Sequence, residues 1–479
     1  MCGIFLLRGP NARARLRGGL DRLKHRGPDD DNLWNGDDIA LGFTRLAITG
    51  EGHGGRQPYS HGGLVGAVNG EIFNHRDLAC AHDLAVPGEC DAHVLLPLFE
   101  RRGPRVIDDL DGFYAGVVIR QATREVFCLR DHVGKKPLFV GRSGDELFIT
   151  SELKALDRID WFELLPRGAS QVDLETGRVL QLADHRPVRP EADIVQLMDE
   201  SVSKRMPRAD QPVGVFLSGG LDSSIVAALA SRRRDDVVCY TLGGPGSPDR
   251  RAVETVREAL ALKDVRIVCP PPTAQLPDLL REVVFATESY NPSVVSNGLS
   301  TYLLARAARR DGIKVVLTGE GADELFGGYH SFREDEPWRE TRARLIDDMQ
   351  FTELRRLDTC SMAHGLEARC PFLDRAVRGF SDQLGYHGLY DGEENKVTLR
   401  REFAGMLPAE VLRRPKTSFD VGSGIRTQVV SYLRRDGRSE REALLALWRR
   451  HFSFDASNAY FHRYPVFDEV IDRRGAGHR

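Results

Sequence analysis

The run Val213-Gly-Val-Phe-Leu217 passes directly into Ser218-Gly-Gly-Leu-Asp-Ser-Ser224 and then into the apolar opening Ile225-Val-Ala-Ala228. An unbroken apolar run of this length reads as a strand buried on both faces, and the residues beyond the loop read as a helix. A strand joined to a helix by so short a turn belongs to a parallel sheet with helices on both sides. The neighbouring chain has the same texture. Ile194–Arg205 reads as an amphipathic helix, Val213–Leu217 as a strand, Ser224–Arg232 as a helix and Val237–Leu242 as a strand. Arg250–Leu262 (helix), Val265–Val268 (strand), Ser300–Arg310 (helix) and Lys314–Leu317 (strand) continue the alternation. The pattern predicts a doubly wound sheet whose ligand site lies at the carboxyl ends of its strands.

The loop's composition points to a phosphate. Glycines let backbone N–H groups approach phosphate oxygens, serines add hydroxyls, and a helix N-terminus favours anions. The loop is not of the Walker type, because that motif's lysine is missing. Asp222 inside it needs another purpose, and Mg²⁺ bound to pyrophosphate supplies one. A second cluster, Thr318-Gly-Glu-Gly-Ala-Asp-Glu-Leu-Phe-Gly-Gly-Tyr329, follows the strand Lys314–Leu317. Asp323 can share the metal with Asp222, and Glu320 is placed to handle protons when an amine attacks an activated acid. The third cluster, Asp358 to Asp374, reads as buried ion pairs, with Glu367 and Arg369 as one pair. Lys396, Arg400 and Lys416 offer cations for departing phosphate charge, and lysine is otherwise scarce in this chain.

The first third differs in texture. It is rich in glycine and in short β-like runs: Gly3–Leu7, Ile39–Ile48, Leu64–Asn69, Gly112–Ile119, Glu125–Leu129 and Leu147–Ser151. The proline-bearing stretch 183–191 reads as a linker, and 479 residues are too many for one core. Cys2 follows a methionine whose removal would leave the cysteine carrying both a thiol and an α-amine, and that amine can serve as base for its own side chain. An acyl-transfer site needs two donors where the oxyanion develops, and Asn69 with the Gly70 backbone suits that role. Arg45 could hold a substrate carboxylate, and Asp91 or Glu71 its ammonium.

This N-terminal set resembles the class II glutamine amidotransferase domain, an N-terminal-nucleophile hydrolase fold of two stacked antiparallel sheets between helix layers. The resemblance covers about residues 2–185 and rests on Cys2-Gly-Ile, His25-Arg-Gly-Pro-Asp29, Asn69-Gly-Glu-Ile-Phe-Asn-His75 and Ser151-Glu-Leu-Lys-Ala-Leu156. It implies that Cys2 attacks the side-chain amide of glutamine, that ammonia leaves, and that Arg45, Ile48, Asn69, Gly70, Glu71 and Asp91 hold the substrate. Phe73 stands where Tyr is usual, and Cys90-Asp-Ala-His93 replaces a more familiar Ser-Asp-Thr-Glu.

The later clusters, with Gly246-Ser-Pro-Asp249, resemble the ATP-pyrophosphatase synthetase domain of glutamine-hydrolysing asparagine synthetases over roughly residues 190–430, within a domain expected to span 190–479 with a helical C-terminal part. The resemblance implies that ATP adenylates a carboxylate, that pyrophosphate leaves with Mg²⁺ and that ammonia displaces AMP. By it Leu217, Leu242 and Gly319 line the adenosine site. Ser218, Gly219, Gly220, Asp222, Ser223, Thr318 and Lys416 bind ATP and its pyrophosphate, and Asp222 and Asp323 take the metal. Glu320 and Lys416 are the main catalytic residues of this half. Glu288-Ser-Tyr-Asn-Pro-Ser-Val-Val-Ser-Asn-Gly298, which would shape the acceptor site, departs from the family pattern. No Lys or Arg occurs between Arg281 and Arg306. Either aspartate's second carboxylate finds its partner elsewhere, or the acceptor is another carboxylate or another nitrogen nucleophile is used. Catalytic silence is the remaining alternative, and the co-occurrence of Cys2, Asp222, Glu320, Asp323 and Lys416 argues against it.

A net charge of −3 names no nucleic-acid or membrane partner. No apolar run approaches the ~20 residues of a membrane helix. The N-terminus has no secretory pattern, and eight cysteines without metal-ligand spacing fit a reducing cytoplasm. The partners expected are therefore small molecules, and a homodimer is common among enzymes of this kind.

Overall fold

The computed structural model describes residues 2–50, 52–84, 90–329, 332 and 337–463. Met1 and 464–479, which the sequence reading includes, lie outside the described residues. The chain divides into two compact units, Met1–Arg186 with Phe452–Ala456, and Pro187–His451 with Ser457–Arg479. The sequence reading put all of 190–479 in the second domain. Phe452 and Phe454 are buried, however, and Ser453 Oγ donates to Asp157 O at 2.9 Å, which places that segment with the first unit.

In the first unit the strands are β1 (Cys2–Arg8), β2 (Asp30–Asn35), β3 (Ile39–Arg45), β4 (Tyr59–His61), β5 (Leu64–Ile72) and β6 (Gly112–Arg120). They continue as β7 (Glu125–Arg130), β8 (Phe139–Ser143), β9 (Glu146–Thr150), β10 (Trp161–Leu164), β11 (Gly168–Val172) and β12 (Val179–Ala183). The helices are α1 (Ala12–Leu23), α2 (His75–Ala81) and α3 (Leu95–Arg102). Two antiparallel six-stranded sheets result, in the orders β10-β8-β9-β1-β3-β2 and β12-β11-β7-β6-β5-β4. Strand alternation decides what each residue packs against. Ile4 and Leu6 of β1 join Val65, Ala67 and Val117 in the core between the sheets. Phe5 faces the other way, so close to α1 that a Cβ on Gly19 would meet its ring at 2.0 Å. Leu64, Val68 and Val118 cover the outer face of the second sheet with Leu96 and Phe99 of α3. The layers are therefore α, β, β, α, as the resemblance implies.

The expected strand Ile39–Ile48 stops at Arg45. Asp29 N–H donates to Arg45 O at 3.0 Å and Asp29 Oδ2 accepts from Ala47 N at 2.8 Å, which turns the chain out of the sheet. Strand β2, with the polar sequence DDNLWN, was not foreseen. It exists as an edge strand by pairing with β3, from Asp30 opposite Arg45 to Asn35 opposite Ala40.

The second unit contains α4 (Ile194–Arg205), β13 (Val213–Phe216), α5 (Leu221–Arg233), β14 (Val238–Leu242), α6 (Pro248–Ala259) and β15 (Asp264–Val268). Next come α7 (Leu276–Thr287), α8 (Pro292–Arg310), β16 (Val315–Leu317), α9 (Ala322–Phe326) and β17 (Glu367–Arg369). All strand pairs are parallel, in the order β15-β14-β13-β16-β17. The chain winds outward from β13 in both directions, so the switch point lies between β13 and β16. Helix α8 begins eight residues before the expected Ser300. Asn291 Oδ1 accepts from the N–H groups of Ser293 and Val294, and Pro292 occupies the first helical position, a strong helix start. In β17, Arg369 Nε donates to Glu367 Oε1 at 2.5 Å, both side chains buried, which is the structural reading of that cluster.

Candidate functional site

The first site sits at the start of β1. Cys2 N–H donates to Asn69 Oδ1 at 3.0 Å, linking β1 of one sheet to β5 of the other. Asn69 is wholly buried, and its Nδ2 has no hydrogen-bond acceptor among the described residues. Gly70 follows at φ +144°, and a Cβ there would lie 1.9 Å from Phe113 O, so only glycine fits. Val68 N–H donates to Gln57 Oε1 at 2.6 Å and Ile72 N–H to Asp91 Oδ2 at 2.7 Å, on an edge that β4 has already left. Strand alternation directs Gly70 N–H to that same edge. Asn69 Nδ2 and Gly70 N–H are the two groups offered by the sequence as oxyanion donors, and each is without a strand partner on this edge among the described residues.

The motif His25-Arg-Gly-Pro-Asp29, to which sequence alone assigned no role, is a brace under Cys2. Arg26 Nε donates to Cys2 O at 2.8 Å and its Nη1 to Glu152 Oε1 at 2.5 Å. The other oxygen of Glu152 receives His25 Nε2 at 2.8 Å and Lys154 Nζ at 2.9 Å. Burial would raise the Glu152 carboxyl, but Lys154, His25 and Arg26 overcome it and hold the group well below the usual carboxylate range. Gly27 has room for no side chain, since a Cβ would sit 2.3 Å from Arg45 N.

The expected glutamine-binding residues surround this point unequally. Arg45 spends its guanidinium on the loop 49–52, donating to Gly52 O at 2.7 Å, Thr49 O at 3.0 Å and Gly50 O. Three of its five N–H groups are used, which leaves Nε–H and one Nη1–H for a ligand. Asp91 accepts from Thr49 Oγ1 at 2.6 Å as well as from Ile72 N–H, so it ties that loop to β5. Ile48 and Glu71 are buried beside them.

The second site occupies the switch point of the parallel sheet. The loop after β13 is folded on its own hydroxyls. Ser218 Oγ lies 3.1 Å from Ser223 Oγ, Ser218 N–H donates to Ser223 Oγ at 3.2 Å and Gly220 N–H to Ser218 Oγ at 3.4 Å. Gly219 has φ +72°, and a Cβ would meet Ala252 of α6 at 2.7 Å. The loop after β16 lies against it: a Cβ on Gly319 would meet Asp222 Cβ at 2.9 Å.

Two lysines join the predicted metal carboxylates. Lys396 Nζ lies 2.6 Å from Asp222 Oδ2 and 2.6 Å from Asp323 Oδ1, and Lys416 Nζ pairs with Asp323 Oδ2. Lys396 adopts φ +58°, a left-handed conformation uncommon outside glycine and often found at functional positions. Burial raises the Asp222 carboxyl, while Lys396 and Lys416 outweigh burial at Asp323 and hold it well down. Burial would lower Lys416, and Asp323 and Asp222 more than reverse it.

Two cavities open here. The smaller, about 230 Å³, is lined by five cations, Lys396, Arg400, Arg413, Arg414 and Lys416, and by four acids, Asp222, Asp249, Glu393 and Glu394, together with the Ser218–Ser223 segment. Arg414 fixes the loop directly, donating to Ser218 O at 2.8 Å and to Asp249 Oδ1 at 2.6 Å. The larger, about 590 Å³, shares Ser218, Asp222, Ser223 and Lys416 with it and continues past Thr318, Gly319, Glu320 and Asp323 to α8. Glu320 pairs with Arg356 at 2.9 Å, and Glu353 and Arg356 also line this cavity. Leu217 and Leu242 are buried and line neither cavity; Phe216 does line the larger. Sequence reasoning passed over Arg356, Glu353, Arg414, Asp420 and Arg426. None stands in a glycine-rich motif, and only the fold brings them here.

Comparison with known proteins adds a separate line. The family profile for asparagine synthase matches residues 193–353 and 344–462, and that for the glutamine amidotransferase domain matches residues 1–171. A probable glutamine-hydrolysing asparagine synthetase of Acanthamoeba polyphaga mimivirus is 31% identical over 84% of this chain and 80% of its own. Asparagine synthetase B (glutamine-hydrolysing) of Escherichia coli K12 is 30% identical over 94% of this chain and 87% of its own. Glutamine-hydrolysing asparagine synthetase 1 of Lotus japonicus is 30% identical over 98% of this chain and 84% of its own.

Proposed function

The chain belongs to the asparagine synthase family of glutamine-dependent amide ligases, and from that premise we propose how its two sites divide the reaction. At the first, removal of Met1 leaves the Cys2 amine where its nitrogen already donates to Asn69 Oδ1. The amine takes the thiol proton, and the sulfur attacks the side-chain amide carbon of glutamine. Asn69 Nδ2 and Gly70 N–H receive the oxyanion, ammonia departs, and water releases glutamate from the thioester. Arg45 and Asp91, seconded by Glu71 and Ile48, hold the substrate's α-carboxylate and α-ammonium. The buried, unpartnered Nδ2 of Asn69 carries this half of the reading.

At the second site ATP places its phosphates over the Ser218–Ser223 loop, whose backbone and hydroxyls cradle pyrophosphate, with Lys396 and Lys416 as counter-charges. An acceptor carboxylate attacks the α-phosphorus, and pyrophosphate leaves into the smaller cavity, beside Lys396, Arg400 and Arg414. Ammonia then attacks the acyl carbon, gives its surplus proton to Glu320, and AMP departs. Mg²⁺ suits the donor set. Asp222 and Asp323 converge within 2.6 Å of a single ammonium, so these two carboxylates would hold one small hard cation between them. Bound there, it would neutralise charge on the departing pyrophosphate. Aspartate is the acceptor that agrees with the family, and asparagine the product. Small molecules suffice as partners; cytoplasmic residence accords with the eight cysteines, all free thiols in the structure. No helix among the described residues is long and apolar enough to cross a membrane.

Two variants test the division of labour. Cys2→Ala is expected to abolish glutamine-supported synthesis yet leave ammonia-supported synthesis intact. Asp222→Ala is expected to stop pyrophosphate release while glutamate formation from glutamine survives. Glutamine-supported turnover in the first, or unchanged pyrophosphate in the second, removes the corresponding assignment.

A further inference from the structure

An acidic amino-acid acceptor brings three charged groups: the carboxylate that reacts, an α-carboxylate and an α-ammonium. The last two need partners of opposite sign once water is excluded. The first turns of α8 supply only Pro292, Ser293 and Asn297 to the larger cavity, and no Lys or Arg occurs between Arg281 and Arg306. Three cations nevertheless line that cavity. Lys416 is committed to Asp323, and Arg356 to Glu320 at 2.9 Å. Arg426, on the helix Ile425–Arg434, is less committed. It lies 3.2 Å from Glu440 Oε2 and 3.9 Å from Asp420 Oδ2. Glu440 already receives Arg434 Nη2 at 2.7 Å and Nε at 3.1 Å, so Arg426 has only a share of that acid.

Beside Arg426 stands the complementary charge. Asp420 is 3% exposed and lines the same cavity. Its Oδ2 accepts from Ser296 Oγ at 2.7 Å and its Oδ1 from Ser418 Oγ at 2.9 Å. Hydroxyls orient a carboxylate without neutralising it, and each oxygen keeps a lone pair. Ser296 belongs to the stretch that lacks a cation, and the structure uses that residue to hold an anion.

We propose that Asp420 and Arg426 form the acceptor clamp, with Asp420 receiving the α-ammonium and Arg426 the α-carboxylate of an acidic amino acid. The inference rests on the adenylating-ligase reading above and adds to it the residues that select the acceptor. The substrate class follows: a free α-amino acid with a side-chain carboxylate, not a peptide-linked residue and not a simple dicarboxylic acid.

The test uses the full-length enzyme with ammonia, Mg²⁺-ATP and L-aspartate, measuring pyrophosphate, with succinate (no ammonium) and β-alanine (no α-carboxylate) as competitors. Arg426→Met is expected to raise the aspartate KM about 10- to 100-fold, the range for losing a charged hydrogen-bond partner. It should weaken inhibition by succinate and leave inhibition by β-alanine and the KM for ATP unchanged. Asp420→Asn is expected to do the converse: weaker β-alanine inhibition, unchanged succinate inhibition, and a similar rise in aspartate KM. Unchanged succinate inhibition also reports that the cavity has kept its shape. If Asp420→Asn loses ATP binding as well, Arg426→Met decides alone, since its side chain is about one-third exposed. An aspartate KM untouched by Arg426→Met, or both competitors weakened alike by it, overturns the clamp while leaving the ligase reading in place. Wild-type enzyme that releases pyrophosphate with no acidic amino acid overturns the acceptor reading and the clamp with it.

Discussion

Asn69→Asp separates the two functions of one amide. In the native protein Oδ1 accepts the Cys2 N–H at 3.0 Å, while Nδ2 is buried with no acceptor among the described residues. A buried polar group left unpaired costs the folded state on the order of 1–3 kcal/mol, so the fold carries this amide against its own stability. On the proposed mechanism a transition-state partner would account for that expense, because the donor would be fully used only when charge develops on the attacked amide oxygen. Aspartate keeps the size of the side chain and the oxygen that accepts from Cys2, but replaces the donor with an acceptor that, when ionised, also sets a negative charge beside the developing oxyanion. Gly70 N–H remains. Losing one of two oxyanion donors lowers kcat by about 10²–10³, or roughly 2.7–4 kcal/mol, and the added negative charge deepens the loss. The loss should fall on kcat with little change in KM, since the ground-state carbonyl gains less from the donor than the oxyanion does. Glutamate release from glutamine measures it, and ammonia-driven pyrophosphate release in the same preparation reports folding. A kcat close to wild type would refute the oxyanion role, and a loss expressed only in KM would make Asn69 a binding residue.

Two further perturbations probe the charge cluster at the switch point. Burial and the neighbouring Asp323 push Glu324 up to about 7 from an ordinary 4.5, so between those values the native state holds a proton that the unfolded chain has released. Stability must then fall as pH rises from about 4.5 to 7, by up to roughly 3 kcal/mol for this group; Glu324→Gln should flatten that window in urea midpoints recorded against pH, and an unaltered slope counts against the assignment. Lys396→Met leaves Asp222 and Asp323 facing one another with only Lys416 as counter-charge. Breaking a buried pair in this way costs about 3–5 kcal/mol; the denaturant midpoint should drop accordingly and recover in part with added Mg²⁺, and a midpoint indistinguishable from wild type would show that the lysine is not the counterion.

What could be read from sequence depended on how local the cause was. Strand β13 and its loop were legible because the apolar run, the glycines and the helix follow one another without interruption, but α5 starts at Leu221 and not at the expected Ser224, so Asp222 and Ser223 stand in its first turn. Helix α4 was legible over its full length because its apolar period and its Asp193 cap are both local, the cap accepting from Gln196 N–H. Strand β2 was not, since Asp-Asp-Asn-Leu-Trp-Asn has little β preference and owes its state to β3. The early start of α8 was signalled by Asn291-Pro292, but the serine-rich first turns masked the period. Cys2, Asn69 and Gly70 were legible as types of chemistry; that Asn69 turns Oδ1 to one partner and leaves Nδ2 unpaired is a fact of two sheets meeting. Arg45 and Asp91 were legible as charges, but not their second duties: Arg45 holds the carbonyls of Thr49, Gly50 and Gly52, and Asp91 ties Thr49 to β5.

The charge partners were the least legible part, for a geometric reason. Lys396 and Asp222 are 174 positions apart, Lys416 and Asp323 are 93 apart, and Ser296 and Asp420 are 124 apart. No periodicity joins such pairs; they meet because a doubly wound sheet brings the ends of distant strands to one edge. Within that edge the two aspartates and two lysines sum to zero charge, so the cluster alone provides no excess of positive charge for a polyphosphate. Arg400, Arg413 and Arg414 line only the smaller cavity, but so do Asp249, Glu393 and Glu394, and its five cations exceed its four acids by one. The two cavities still differ: the smaller has one cation in excess, whereas the larger has five acids to three cations and sets acid beside cation at Glu320 and Arg356 and again at Asp420 and Arg426. A zwitterion is what such alternation accommodates, because each of its charges meets an opposite one without leaving a buried charge unpaired.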